Sequence, residues 1–77
     1  MSVSNKVKAL LNLTNSRPRD IAEPLGISVQ AVRNKFTRDS FSMDDLIKIC
    51  DHLDAKLFIN LSDSQTINFE ADDVKKK

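Results

Sequence analysis

Cysteine is almost missing from this 77-residue chain. Cys50 stands alone, which excludes an intrachain disulfide framework and leaves no second thiol for a metal or redox site. A reducing, cytoplasmic setting is the expectation that follows. Glycine is as scarce, with Gly26 alone, and so is histidine, with His52 alone. No apolar run approaches the roughly 18 residues of a membrane span. The opening MSVSNKVKALLNL lacks the long apolar stretch of a signal peptide, so no leader is expected. His52 stands between Asp51 and Asp54, but no Ser or Cys nucleophile accompanies it, and adjacent residues face different sides of a helix. It reads as a solvated surface histidine, and no acid–base or nucleophile cluster points to an enzyme. No cofactor, metal or small-molecule ligand is indicated.

What is present supports one modest core. Apolar residues make up 40% of the chain, enough for a packed domain and against wholesale disorder. The net charge of +1 conceals an asymmetry: residues 1–41 carry seven Lys/Arg against three acids, a net +4, and residues 42–77 five against eight, a net −3. Such a split suits one face meeting a polyanion and another facing away.

The apolar spacing predicts four helices. Val3, Val7, Leu10 and Leu11 form a helical stripe, placing the first helix at about 5–13 with Ser4 as its N-cap. Pro18 suits the first turn of a second helix, with Asp20 favourable to its dipole and Ile21, Ala22 and Leu25 buried. Gly26 falls just past that stripe, where a left-handed residue ends a helix. Ser28 caps a third helix at about 29–36, with Val32 and Phe36 inward, and Arg38–Ser40 reads as a loop. Ser42 and Asp45 resemble a capping box for a fourth helix running to about Leu53, with Leu46, Ile49, Cys50 and Leu53 inward. Beyond it the period drops to two: Leu57, Ile59 and Leu61 alternate, as do Ile67 and Phe69. A β-hairpin is predicted at about 56–70, with loop Ser62–Gln65. The fold expected is mainly α with a small β part: one domain over 1–70, then a flexible tail at 71–77 ending in Lys75-Lys76-Lys77.

The informative segment is Ile21-Ala22-x-x-Leu25-Gly26-Ile27-Ser28-x-x-x-Val32. A small Ala22 permits two helices to cross, Gly26 supplies the turn, and Ile27 and Val32 pin the second helix to the core. Such a unit frees the second helix to enter a DNA major groove. Residues 17–53 resemble the Cro/repressor type of helix-turn-helix, the XRE-like family of bacterial and phage regulators. Leu57–Phe69 is similar to the strands that end its Cro-like members. Pro24, late in the second helix, and Lys35, where the family usually places an apolar residue, depart from the pattern. Pro24 would remove a backbone bond to Asp20, and kink or shorten the helix.

The resemblance implies a sequence-specific regulator of transcription, a repressor by its closest analogy, binding double-stranded DNA as a homodimer. Carried over position by position, Val29, Gln30, Arg33 and Asn34 would meet the bases. Gln30 suits adenine, Arg33 suits guanine O6 and N7, and Val29 suits a thymine methyl. Ser16, Arg17, Arg19, Ser28, Lys35, Thr37 and Arg38 would meet phosphates. The dimer would form through the hairpin, with Phe58, Asn60, Leu61, Ile67 and Phe69 at the interface, because a lone hairpin is marginal and its edge unpaired. The apolar face carrying Leu57, Ile59, Leu61, Ile67 and Phe69 is expected to cover the helical core. The alternative function is a protein-interaction module, such as an antirepressor, that turns the third helix toward a protein.

Overall fold

The computed structural model describes residues 2–62 and 64–74. Helices α1 (Val3–Leu13), α2 (Pro18–Leu25), α3 (Val29–Arg38) and α4 (Met43–His52) precede strands β1 (Leu57–Ser62) and β2 (Gln65–Phe69), and a 3₁₀ turn at Ala71–Asp73 follows. The fold is mainly α with a small β part, as the periodicities require. Among the described residues no helix is long and apolar enough to cross a membrane.

The core joins all four helices: Val7 and Leu11 from α1, Ile21, Ala22 and Leu25 from α2, Val32 from α3 and Ile49 from α4. Ile21, Val32 and Ile49 are fully buried. Burying a side chain the size of these three contributes about 1.5–3 kcal/mol each. Cys50 is buried beside them, and burial raises its thiol pKa above the ordinary value. Ile47, which the sequence stripe omits, is buried too.

Four helix ends need a left-handed residue, and one glycine cannot supply them all. Gly26 follows α2 at φ +69°, while Asn15, Asp39 and Asp54 follow α1, α3 and α4 at φ 56°, 53° and 56°. Asn and Asp are the non-glycine residues that tolerate this conformation best. Each end then closes by the same backbone bond, from the residue after the left-handed one to a carbonyl five residues back. The pairs are Ser16–Leu11 (2.8 Å), Ile27–Ala22 (3.1 Å), Ser40–Lys35 (3.0 Å) and Ala55–Cys50 (2.8 Å).

Several boundaries move from expectation. α1 starts at Val3 with Ser2 as its N-cap, its hydroxyl accepting the Asn5 N–H at 3.2 Å. Ser4 instead is buried inside the helix, where its N–H donates to Asp39 Oδ1 at 2.8 Å. α3 runs two residues further than the stripe suggested, so Thr37 and Arg38 are helical and Asp39 is the cap. Pro24 does not shorten α2, which continues to Leu25. The carbonyl that its ring deprives of a partner belongs to Asp20, an exposed residue open to water. Ala71–Asp73, placed in the tail by the sequence reading, form a 3₁₀ turn that contacts α4. Lys75–Lys77 lie outside the described residues.

The hairpin departs furthest from expectation. Its rungs pair Leu57 with Phe69, Phe58 with Asn68, Ile59 with Ile67 and Asn60 with Thr66; a bulge then leaves Leu61 opposite no residue. Leu57, Ile59, Ile67 and Phe69 do share a face. Only the base rung, Leu57 with Phe69, is half-buried. Ile59 and Ile67 remain 46% and 51% exposed, and Leu61 61%. The apolar face therefore does not lie on the helical core: it leaves the core after one rung, as an arm.

Candidate nucleic-acid interface

The turn after α2 sets the site. Gly26 reverses the chain, Ile27 packs against the core, and Ser28 starts α3 by accepting the Ala31 N–H at 3.1 Å. Val32 fixes the inner side of α3, and Phe36, half-buried, meets Phe41 edge to face at 4.9 Å between centroids. Positions 30, 33, 34 and 37 are all exposed, so one polar face of α3 carries Gln30, Arg33, Asn34 and Thr37.

That face is partly organised. Gln30 Nε2 donates to Asn34 Oδ1 at 3.3 Å, one turn apart, which aligns two amides. Thr37 donates its hydroxyl to the Arg33 carbonyl at 3.1 Å, leaving the oxygen free to accept. Arg33 has no carboxylate partner among the described residues. Val29 differs from these four: it is half-buried and packs against the core, with only part of its side chain left at the surface.

The expected phosphate contacts divide into two groups. Arg17, Arg19 and Arg38 are exposed, the first two at the start of α2 and the third at the end of α3. Ser28 keeps a hydroxyl proton to donate while it caps α3. Ser16, half-buried, lies 3.0 Å from the Thr14 hydroxyl. Lys35 leaves the set: its ammonium is bound to Asp45 Oδ2 at 2.9 Å, the ion pair seen among the described residues. Burial acts to raise the Asp45 pKa, but the Ser42 N–H and Lys35 outweigh it and hold the carboxyl below its ordinary value. Lys35 is thus a strut from α3 to the cap of α4.

The sequence reading missed Lys8. It lies on the exposed flank of α1, with its Nζ 5.9 Å from the centre of the Phe36 ring, and it borders a cleft shared with Arg33. Its position 25 residues before Arg33 hid that proximity; the only signal was the polar pair Lys8 and Asn12 flanking the Val7–Leu11 stripe at helical spacing. Of the residues expected at a dimer interface, Phe58, Asn60, Leu61 and Ile67 are exposed on the arm, and Phe69 is half-buried at its base. His52 is exposed at the end of α4. Among the described residues no cluster of three His, Cys, Asp or Glu side chains is placed to hold a metal.

Compared with known proteins, the chain matches no family model, no curated protein and no solved structure.

Proposed function

We propose that this protein is a sequence-specific duplex-DNA-binding regulator of the helix-turn-helix type, acting as a homodimer in the cytoplasm of a bacterium or within a phage-like element. The observation that carries the reading is the polar face of α3, where Gln30, Arg33 and Asn34 stand exposed on a helix locked from behind by Val32 and Phe36. Amide and guanidinium groups on a rigid helix are what major-groove edges require. Arg17, Arg19 and Arg38 flank that face without carboxylate partners among the described residues, as phosphate positioning requires. The resemblance of residues 17–53 to the Cro/repressor family supports the same reading. One module binds weakly, and two copies with α3 helices about one DNA turn, roughly 34 Å, apart would supply useful specificity.

The test is selection of bound sequences from a random duplex pool, followed by affinity measurement over a range of salt. A palindromic preference whose affinity falls steeply with ionic strength supports the reading. No enrichment, with weak binding indifferent to salt, overturns it and favours a protein partner for α3.

A further inference from the structure

A cleft of about 370 Å³ opens between α1, the start of α2 and the flank of α3. That volume lies in the range of small-molecule sites. Its floor is Leu11, Pro18 and Phe36, and the lining is predominantly apolar. Two cations, Lys8 from α1 and Arg33 from α3, stand at it, with Asn12 and Ser16 as further polar groups. No acidic residue lines the cleft, and neither cation is paired with a carboxylate among the described residues. The Lys8 ammonium lies 5.9 Å from the centre of the Phe36 ring, within reach of a weak cation–π attraction.

An apolar floor beneath two unpaired cations defines a ligand by its chemistry. A bare phosphate would satisfy the cations and leave the floor uncovered. A neutral hydrocarbon would cover the floor and leave two charges unanswered. We propose that this cleft binds a small apolar acid, an aryl or branched acyl body ending in one carboxylate. The body lies on Leu11, Pro18 and Phe36, and the carboxylate meets Lys8 and Arg33. Because Arg33 also belongs to the proposed base-reading face, occupancy draws it away from DNA; that consequence rests on the reading above, whereas the binding itself does not.

The test is amide chemical-shift mapping of the whole chain, without DNA, during titration with 2-naphthoate, its neutral amide, and inorganic phosphate. The expected result is saturable shifts from naphthoate centred on Lys8, Asn12, Arg33 and Phe36. The amide and phosphate should each bind about tenfold more weakly or worse, since each lacks half of the recognition. Lys8→Gln and Arg33→Gln, both at exposed positions, should weaken naphthoate and leave the amide unchanged. Absence of saturable shifts overturns the proposal. So does equal binding of the amide, equal binding of phosphate, or shifts centred on the arm at Ile59 and Ile67. Because no DNA is present, a negative result leaves the DNA reading standing, and failure of DNA binding leaves the cleft to be judged on these titrations.

Discussion

Lys35 on α3 and Asp45 on α4 meet at 2.9 Å, through the same carboxylate oxygen that accepts the Ser42 N–H at 2.9 Å. One oxygen therefore closes the capping box of α4 and anchors α3 to it. Asp45→Ala should lose both, at about 1–2 kcal/mol. Lys35→Met, which keeps the cap, should cost about 0–1 kcal/mol. Thermal melts measure the difference. If the two substitutions cost the same, the cap and the strut are not joined in the way the geometry shows.

The same carboxylate and that of Asp39 shape the acid limb of stability. Hydrogen bonds from the Ser4 side chain and backbone lower the Asp39 pKa; at Asp45, burial raises the pKa but the Ser42 N–H and Lys35 prevail. Both lie below their ordinary 3.8 in the folded state. The unfolded chain therefore takes up these protons first as pH falls. Their contribution is complete above the unfolded value and is lost as pH drops through the folded values. Melting temperature should fall through this acid range, and Asp45→Asn should flatten part of the fall. An unchanged acid limb in both Asp45→Asn and Asp39→Asn would refute the assignment.

Gly26 offers a cleaner test of backbone strain. A Cβ built there meets no atom within 4 Å, so the cost of a side chain comes from φ +69° alone. Gly26→Ala should cost about 1 kcal/mol, and Gly26→Val about 1–2 kcal/mol or more because of its branched Cβ. Gly26→Asn should cost least, since Asn15 already serves the same left-handed role after α1. Denaturant unfolding of the three variants gives the order. If Asn proved worse than Val, conformation would not be the reason glycine is used.

Much of this architecture was legible because local rules and packing agree. Gly26, the Ser28 cap and the Ser42–Asp45 box are each read from a few neighbouring residues, and each stands where those residues place it. What escaped reading depends on partners distant in sequence. Ser4 is a good cap by type, yet Asp39, 35 residues away, accepts its N–H and the helix begins two residues earlier. Lys35 looked like a surface cation until Asp45 was placed beside it. Val29 is placed at the base-facing end of α3 by spacing alone, and its half-burial against the core is the part spacing did not reveal. The hairpin's alternation grouped Leu57, Ile59, Ile67 and Phe69 on one face, but it did not foresee the bulge at Leu61, and the expectation that this face covers the helical core fails beyond the base rung.

Base readout and phosphate contact should separate by mutation. Arg33→Ala should cost about 1–3 kcal/mol on the preferred duplex and relax the preference at one base pair. Arg38→Ala, at the end of α3, should weaken all duplexes alike and reduce the salt slope by about one. Lys35→Met should leave that slope nearly unchanged, because its ammonium is already held by Asp45. Titrations of specific and random duplexes at several salt concentrations measure all three. Equal losses on both duplexes for Arg33→Ala would remove α3 as the reader.

The arm should tie two copies together. Ile59 and Ile67 pair across the hairpin on one face, and Phe58 stands on the other; each is about half exposed. A two-stranded hairpin is marginal in water, and apolar side chains on it lose most of their stabilising value while they stay wet. Each strand also has only one neighbour in the sheet among the described residues, and proteins seldom leave a strand edge bare. Among the described residues only the base rung is half-buried, and Phe58, Ile59 and Ile67 stay about half exposed within one chain. A second copy's arm would cover the exposed face and pair the edge, and it would fix the distance between the two α3 helices. Sedimentation at micromolar concentration should therefore give a dimer. Phe58→Asp and the double variant Ile59→Thr/Ile67→Thr should each shift it toward monomer. The helical signal should survive, because none of the three side chains belongs to the core. Monomeric wild-type protein at that concentration, binding a palindromic site without cooperativity, would refute the arm as the dimer contact. Loss of helical signal in the double variant would show instead that the arm stabilises the helices of its own chain.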